Sequence, residues 1–429
     1  MTLDWTLTDP AARDAALADA LRGLYTGEPR RGPLAGGRAE ALRRLHAYDP
    51  AAYARTRNFV DAPVSRLSAY LRHGMVSAAE VRDHLRRRVT DAGLLEEFLR
   101  QLAWRDFFLH AQDWHGRGLD ADLEPAKHGV TRLPVLPPDV AAGATGLPCV
   151  DGWLGRLFED GYLHNHERLW FAAYLCHWRG VTWQEGAKLF RRHLLDGDRA
   201  SNTCSWQWVE GTFASKPYFM NKENIARYSG NEWCRDCRVR CPFDAGYDEL
   251  QHRLFAGSLA PLAGAGRGRA AEPLPAPPSA PVEAATLPVV PSAVWVHDAA
   301  LAPADAHPAA AAVFVFDAPR LAAEPWAFHR LAFVFDGVCE LFQALPHPTK
   351  LVVVGDPADV FDALGVRELH VTDCPDPAVR EPLAGRPGVT AHPRPKLAEY
   401  ADEPRRFTRY WERAAPQVLG YKPAKGKMR

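Results

Sequence analysis

The sequence predicts a mainly α-helical domain followed by a smaller α/β domain. Apolar residues recur at helical spacing before residue 257, and short β-rich runs alternate with helical stretches after residue 292. Between them, residues 257–292 are rich in Ala, Pro and Gly and hold almost no large apolar side chain. Such a segment cannot bury enough surface to offset its ordering entropy, so it is predicted to be a flexible linker.

The first domain, predicted for residues 51–256, should consist of amphipathic helices. Ser77 and Glu80 have the spacing of a capping box, which predicts a helix that continues to about Val89. Apolar spacing predicts further helices over residues 94–113, 152–159, 164–178 and 183–195.

The second domain, predicted for residues 293–400, has the pattern of a parallel α/β sheet, in which strands and helices alternate. Strands are predicted at residues 293–297, 312–316, 351–354 and 368–371, with helices near 326–345 and 357–365. Residues 1–50 are predicted to be an N-terminal helical extension, and residues 401–429 a C-terminal tail.

The composition is that of a globular protein with balanced charge. Lys+Arg and Asp+Glu both number 52, so the overall charge gives no argument for nucleic-acid binding. The sequence has no apolar run of about 18 residues and no signal-peptide pattern at its start. A cytoplasmic protein that does not enter a membrane is therefore expected.

Five segments carry most of the polar and aromatic residues suited to chemistry. The densest is 196–208, where two carboxylates, an Asn and two Trp fall within thirteen residues. The other segments are Val64–Leu71 (VSRLSAYL), Trp104–Phe108 (WRDFF), Gly146–Asp151 (GLPCVD) and Gly161–Arg168 (GYLHNHER).

Taken in chain order, from residues 64–71 to residues 196–208, the five segments resemble the FAD-binding helical domain of DNA photolyases and cryptochromes. The corresponding family patterns are T-S-R-L-S-x-x-L, W-R-E-F, G-x-P-x-V-D, W-M-H-N-R-x-R and D-G-D-x-x-x-N-x-x-x-W-Q-W. The spacing between them is nearly the family's, which implies that residues from about 50 to 222 bind FAD.

The resemblance also implies which residues contact the cofactor. Hydroxyl, backbone N–H and guanidinium donors suited to the pyrophosphate side are Tyr53, Ser65, Arg66, Leu67, Ser68 and Arg105. Contacts to the flavin side are implied for Asn165, Arg168, Asp196, Asp198 and Asn202, the last facing flavin N5. Without the resemblance, Ser65 and Ser68 could instead cap a helix, and a buried Arg–Asp pair is more often structural.

Trp206 and Trp183 match the first two members of the family's electron-transfer tryptophan chain. The third has no counterpart, because the segment between Asp113 and Gly146 contains only Trp114, at a different place. A tryptophan on a helix is otherwise usually a core residue.

Three of the eight cysteines, Cys234, Cys237 and Cys241, lie within eight residues, a spacing at which thiolates can hold a soft metal centre. The segment resembles the bacterial iron–sulfur branch of the superfamily, although the gap before its last cysteine is shorter here. The resemblance implies a four-iron, four-sulfur cluster with Cys149 as the fourth ligand. Cys204 is the alternative for that fourth position. Tetrathiolate zinc and free thiols are the alternatives.

In the family, a Rossmann-like antenna domain precedes the FAD domain. Here residues 292–301 resemble its opening strand, residues 311–317 its second strand, and residues 405–411 the segment that leads out of it. The chain is therefore interpreted as a circular permutation, which cuts at termini and linkers tolerate. An unrelated α/β domain is the alternative, and whether an antenna chromophore binds there is left open.

The resemblance implies blue-light-driven repair of UV pyrimidine lesions, with UV-damaged DNA as partner and a monomeric enzyme. The flipped lesion would lie against Gln101, Trp104, Leu169 and Trp208. A cryptochrome-like photoreceptor without repair activity is the alternative, and a non-photochemical FAD/iron–sulfur redox protein is a third.

Gln101 replaces the Glu that cyclobutane-dimer photolyases usually present to the lesion. Gln carries no proton to share with a developing anion, and (6-4) photolyases resemble this chain in having Gln there. (6-4) repair also needs a proton donor, for which His164 is the candidate. The sequence thus favours the (6-4) lesion over the cyclobutane dimer, with no repair at all as a third outcome. For His164 itself, the alternative is a buried, hydrogen-bonded core residue.

Overall fold

The computed structural model describes residues 1–256, 287–302 and 311–421. Most of the predicted linker, residues 257–286, lies outside this part of the chain.

The strands are β1 (Thr2–Leu3), β2 (Tyr25–Thr26), β3 (Ser292–Val296), β4 (Ala311–Asp317), β5 (Trp326–Ala327), β6 (Lys350–Gly355), β7 (Glu368–Thr372) and β8 (Val389–His392). The helices before the linker are α1 (Pro10–Ala20), α2 (Arg38–Ala47), α3 (Pro50–Thr56), α4 (Ser68–Arg72), α5 (Ala78–Arg88), α6 (Ala92–His115), α7 (Pro138–Ala141), α8 (Pro148–Asp160), α9 (Asn165–Ala173), α10 (Trp183–His193), α11 (Arg199–Glu210), α12 (Lys222–Tyr228) and α13 (Tyr247–Phe255). Those after it are α14 (Ala318–Ala323), α15 (Phe328–Ala344), α16 (Pro357–Ala363), α17 (Pro377–Arg380) and α18 (Phe407–Leu419).

The chain divides into two compact units. The α/β unit comprises Met1–Tyr48, Ser65–Arg88 and Leu274–Glu399, and the helical unit comprises Asp49–Val64, Val89–Pro273 and Tyr400–Arg429. The division differs from the predicted boundaries mainly because two segments from the first half of the sequence belong to the α/β unit.

The α/β unit is built around one sheet with strand order β1-β6-β4-β3-β7-β8. From β6 to β8, neighbouring strands are parallel. The four predicted strands correspond to β3, β4, β6 and β7, and β3 ends one residue earlier than predicted. Strand β1 pairs antiparallel with β6 (Thr2 opposite Val353), so the start of the chain is not solely helical as predicted. Buried Val and Phe residues fill both faces of β4, as is usual for parallel strands covered on both sides.

Around α6, the 24-residue helix of the helical unit, local capping follows the sequence closely. Asp91 caps the start of α6 by accepting from the backbone N–H groups of Gly93 and Leu94, and Gly116 ends the helix with φ 54°. All four helices predicted from apolar spacing are present. The predicted helix over 164–178 is α9 extended by a π-helical turn, Tyr174–Trp178.

The predicted C-terminal tail contains α18, which packs against α6 within the helical unit. The Tyr410 hydroxyl donates to the Asp106 carboxylate at 2.7 Å, and Phe407 and Trp411 are buried. Across the described ranges, no helix combines the length and the apolar character needed to cross a bilayer.

Candidate functional site

Arg168 and Asp196 form a bidentate ion pair in the helical unit. The two terminal guanidinium nitrogens of Arg168 each donate to one Asp196 oxygen at 2.9 Å, while its Nε donates to the Leu163 carbonyl at 2.9 Å. Burial works against the charge of Arg168, but Asp196 raises its pKa above the usual value. The fork geometry fixes the plane of the guanidinium, so its direction is set before any ligand binds.

Asp198 joins α6 to the start of α11. Its carboxylate caps α11 by accepting from the backbone N–H of Ser201, and it also pairs with the Arg105 guanidinium from α6. Arg105 lies 3.3 Å from the Ser201 hydroxyl as well. One turn further on, Asn202 donates to the Ala187 carbonyl of α10 at 2.8 Å. The positive end of the α11 dipole therefore lies among side chains held by hydrogen bonds.

Gln101 lies along the same stripe of α6 as Arg105, and Tyr53 of α3 packs against Phe98 on that stripe. The Tyr53 ring contacts Phe98 edge-on with centroids 5.4 Å apart, and burial raises the pKa of Tyr53. Phe98, Gln101 and Arg105 are three and four residues apart, so they share one helix face. Gln101 is half-buried there.

Trp206 and Trp183 occupy neighbouring helices. Trp206 on α11 is buried, contacts Phe190 at 5.0 Å, and lies against Gly186 of α10, where an added Cβ would come within 2.1 Å of its ring. Trp183 precedes Gly186 by one turn on α10 and is also buried. The Trp183 indole N–H donates to the Asp122 carboxylate at 2.7 Å.

His164 serves as the N-cap of α9. Its Nδ1 accepts from the backbone N–H of His166 at 3.2 Å, and its Nε2 lies 3.1 Å from the Arg57 carbonyl, to which it donates. Burial lowers the pKa of His164 to about 4, so the ring is neutral at pH 7. This geometry corresponds to the hydrogen-bonded core histidine, because both ring nitrogens already have protein partners. The neighbouring Asn165 is exposed.

The side chains expected to flank a lesion differ in their surroundings. The Trp104 ring stacks on Phe407 of α18 with centroids 3.8 Å apart and an interplanar angle of 9°, which occupies one face of the indole. Trp208 is half-buried and contacts Tyr218 at 5.5 Å. Leu169, like Trp208, borders the apolar core of the helical unit.

The Ser65–Ser68 loop belongs to the α/β unit and leads into α4. Leu67 donates its backbone N–H to the Ser65 hydroxyl at 3.4 Å, and Ser68 is the first residue of the helix. Arg66 is exposed and has φ 50°, a left-handed conformation that is uncommon for residues other than Gly, Asn and Asp.

The four predicted cysteine ligands are neighbours, since burial and the nearby thiols of Cys241, Cys234 and Cys237 raise the pKa of Cys149 to about 12. In the described part of the chain, however, no three of these sulfurs lie within 4.8 Å of one another. A tetrahedral zinc ion with Zn–S bonds of about 2.3 Å would need sulfurs about 3.8 Å apart. Cys204 is buried on α11, and its pKa is raised by burial and by Asp198.

A buried cluster that the sequence did not indicate is formed by His128, His177 and Glu210, whose ligand atoms lie within 4.8 Å of one another. Arg132 donates to Glu210 at 3.0 Å and approaches His177 Nδ1 at 2.9 Å. Although burial opposes it, the hydrogen bond from His128 and the charges of His177 and Arg132 lower the pKa of Glu210 to about 2. Arg132 thus balances the carboxylate, and we interpret the cluster as a structural ion-pair network.

Comparison with known proteins finds similarity over part of the helical unit. Residues 98–232 match the family described as the FAD binding domain of DNA photolyase. The chain is 39% identical over 149 residues to the deoxyribodipyrimidine photo-lyase of Streptomyces griseus, covering 34% of this chain and 32% of that protein. It is 31% identical over 195 residues to the deoxyribodipyrimidine photo-lyase of Alkalihalophilus pseudofirmus, covering 43% of this chain and 40% of that protein.

Among solved structures, a bacterial class III photolyase from Agrobacterium tumefaciens has 27% identity and a TM-score of 0.39, over 45% of this chain and 43% of that one. The chain spans about a third to two fifths of the curated relatives cited above. The helical unit contains a photolyase-type FAD-binding domain. The similarity to the DNA photolyase family therefore concerns this domain, within residues 98–232.

Proposed function

We propose that this protein is a FAD-dependent photolyase that uses blue light to repair a pyrimidine lesion in UV-damaged DNA. The observation that carries this proposal is the group of fixed polar side chains around the start of α11, inside the matched residues 98–232. Bidentate pairing, helix capping and an Asn held by a backbone carbonyl are the kind of pre-set surroundings that tune a bound flavin.

The residues of the chain would hold the cofactor in two ways. Arg168 and Asp196 would lie against the isoalloxazine, with Asn202 near its N5 and Asp198 near the ribose. By the family resemblance, Arg105 and Tyr53 of the helical unit would serve the phosphates, and Asn165 would also contact the cofactor. Bound FAD would supply the light-driven electron transfer to the lesion.

For the lesion itself, we propose the (6-4) photoproduct, on the strength of Gln101 alone. Gln101 can donate a hydrogen bond through its amide but cannot transfer a proton. His164 is not proposed as the proton donor, because its neutral ring is engaged by His166 and Arg57, so the proton that (6-4) repair needs would come from another group or from water. The remaining lesion contacts would come from Trp104, Leu169 and Trp208.

A cryptochrome-like photoreceptor is the second candidate, and one observation favours it. The stack of Phe407 on Trp104 leaves only the opposite face of that indole for a base. Stacking on aromatic faces is a main source of affinity for a flipped base, so this contact weakens the expected lesion site.

For the domain arrangement, we propose that the order of the family is circularly permuted. Strand β3, which follows the linker, lies in the middle of the parallel strands, where the first strand of a doubly wound sheet lies. The sheet-containing unit would then correspond to the antenna domain, with residues 1–48 completing its edge.

For the cysteines, we propose that Cys149, Cys234, Cys237 and Cys241 hold a four-iron, four-sulfur cluster. The supporting observation is that the thiols of Cys234, Cys237 and Cys241 are close enough to Cys149 to raise its pKa. Four cysteines brought together in this way can supply the thiolates of such a cluster. Zinc remains the alternative.

Illumination of the reduced protein with each lesion in a defined oligonucleotide tests the function. We expect reversal of the (6-4) product, with restoration of the parent pyrimidines measured by chromatography, and no reaction in the dark. If only cyclobutane dimers are split, Gln101 does not determine which lesion the protein repairs. Flavin photoreduction without repair of either lesion would favour the photoreceptor.

A further inference from the structure

Trp183 and Trp206 differ in what their indole N–H groups can do. The N–H of Trp183 donates to the Asp122 carboxylate at 2.7 Å. The N–H of Trp206 is buried and finds no hydrogen-bond acceptor among the residues that the structure describes. Indole nitrogen is a donor only, so each N–H depends on an acceptor supplied by the protein.

This difference matters for an oxidised tryptophan, because loss of an electron makes the indole N–H far more acidic than it is in neutral tryptophan. Trp206 has no acceptor for that proton among the described residues, so it is expected to regain an electron from a neighbour instead. At Trp183 a carboxylate is already in hydrogen-bond contact with the proton, and Asp122 is exposed to solvent.

The segment that carries Asp122 is clamped by Gln207, the residue after Trp206. The buried amide of Gln207 donates to the carbonyls of Leu119 and Ala121 at 2.9 and 3.1 Å and accepts from the Leu123 N–H at 2.9 Å. Asp122 is thus held on both sides by α11. A base placed in this way needs no rearrangement when the proton is released.

We propose that Asp122 is the proton acceptor for oxidised Trp183, so that the relay ends at Trp183 without a third tryptophan. This inference rests on the proposed flavin photochemistry. With FAD bound, Trp206 would supply one electron to the oxidised flavin under blue light, and Trp183 would replace that electron in Trp206. The Trp183 N–H proton then moves to Asp122, leaving a neutral indole radical and a neutral carboxyl group.

The cycle closes with an external thiol as reductant. The thiol gives one electron to the Trp183 radical while the indole nitrogen takes back a proton from Asp122, and the thiol proton goes to water. Until then, Trp183 would not regain its electron unless the proton returned from Asp122 as well. The carboxylate therefore prolongs charge separation.

The test compares Asp122→Asn with Asp120→Asn in the full FAD-loaded chain. Asp120 lies two residues earlier but pairs with Arg199, so it is a matched control. After a laser flash, transient absorption should show a neutral tryptophan radical in the parent and in Asp120→Asn. In Asp122→Asn the radical should stay cationic and recombine about 100-fold faster, the lower end of what a positioned base contributes. Asp122→Glu should restore the neutral radical.

A second readout needs no light. In the dark, the indole ¹H–¹⁵N resonance of Trp183 should move upfield in Asp122→Asn and stay in place in Asp120→Asn. Radical kinetics unchanged in Asp122→Asn would overturn the inference, even with the resonance shifted. Equal rates of flavin photoreduction in the flavin-bound parent and in Trp183→Phe would also overturn the inference. A parent protein that binds no flavin would refute the proposed function itself.

Discussion

Asp196→Asn is expected to abolish stable flavin binding. The substitution removes the carboxylate that pairs with both terminal nitrogens of Arg168 and turns an amide N–H₂ toward the guanidinium. Removing one partner of a buried ion pair costs about 3–5 kcal/mol, because the other charge is left uncompensated. If this cost falls on the flavin-bound state, the affinity for FAD should drop by more than about 100-fold.

The measurement is the FAD dissociation constant, followed by flavin fluorescence, with circular dichroism to confirm the fold. Asp248→Asn, at an exposed position in the first turn of α13, is the matched control and should leave the affinity unchanged. Arg168→Lys keeps the positive charge but not the fork, so it should give an intermediate loss. Parent-like affinity in a folded Asp196→Asn protein would show that the pair is only structural.

Cys149→Ser is expected to remove the metal centre entirely. In the metal-free protein the Cys149 thiol has a pKa of about 12, so it is protonated at pH 7 and a metal must displace that proton. Loss of this ligand should reduce the iron content from about four per chain to near zero under anaerobic preparation.

Cys204→Ser is the matched control, because Cys204 is the other cysteine considered as a ligand and is buried on α11. Iron, sulfide and zinc measured together decide the outcome. If Cys149→Ser keeps its full iron content and Cys204→Ser loses its iron, the fourth ligand is Cys204 and not Cys149. A zinc content of about one per chain, without iron, would show that the four cysteines form a tetrathiolate zinc site and not an iron–sulfur cluster.

Local sequence patterns predicted most of the secondary structure. The helix expected over residues 94–113 lies within α6, and the four expected strands correspond to β3, β4, β6 and β7. Periodicity and capping act over a few residues, so they can be read without knowledge of the tertiary structure. Strand β1 escaped prediction because it has two residues and exists only through its pairing with β6, far along the chain.

Only part of the candidate site was predicted from the sequence, because some of its contacts join segments that are far apart in the chain. The ion pairs of Arg168 and Arg105 join motifs that the family resemblance had already brought together. In contrast, the contacts Asp122–Trp183 and Phe407–Trp104 join segments with no shared pattern. His164 shows the opposite limit: a histidine at a suggestive position proved to be a helix cap with both nitrogens engaged.

Flavin content is the most direct test of the proposed FAD site. The purified full chain should contain about one non-covalent FAD per molecule, identified by chromatography after denaturation, or take it up on reconstitution. Blue light and a thiol should then bleach the oxidised flavin spectrum, and Trp206→Phe should bleach much more slowly. A folded protein that carries no flavin and binds none on reconstitution would contradict the proposed FAD site and the function that depends on it.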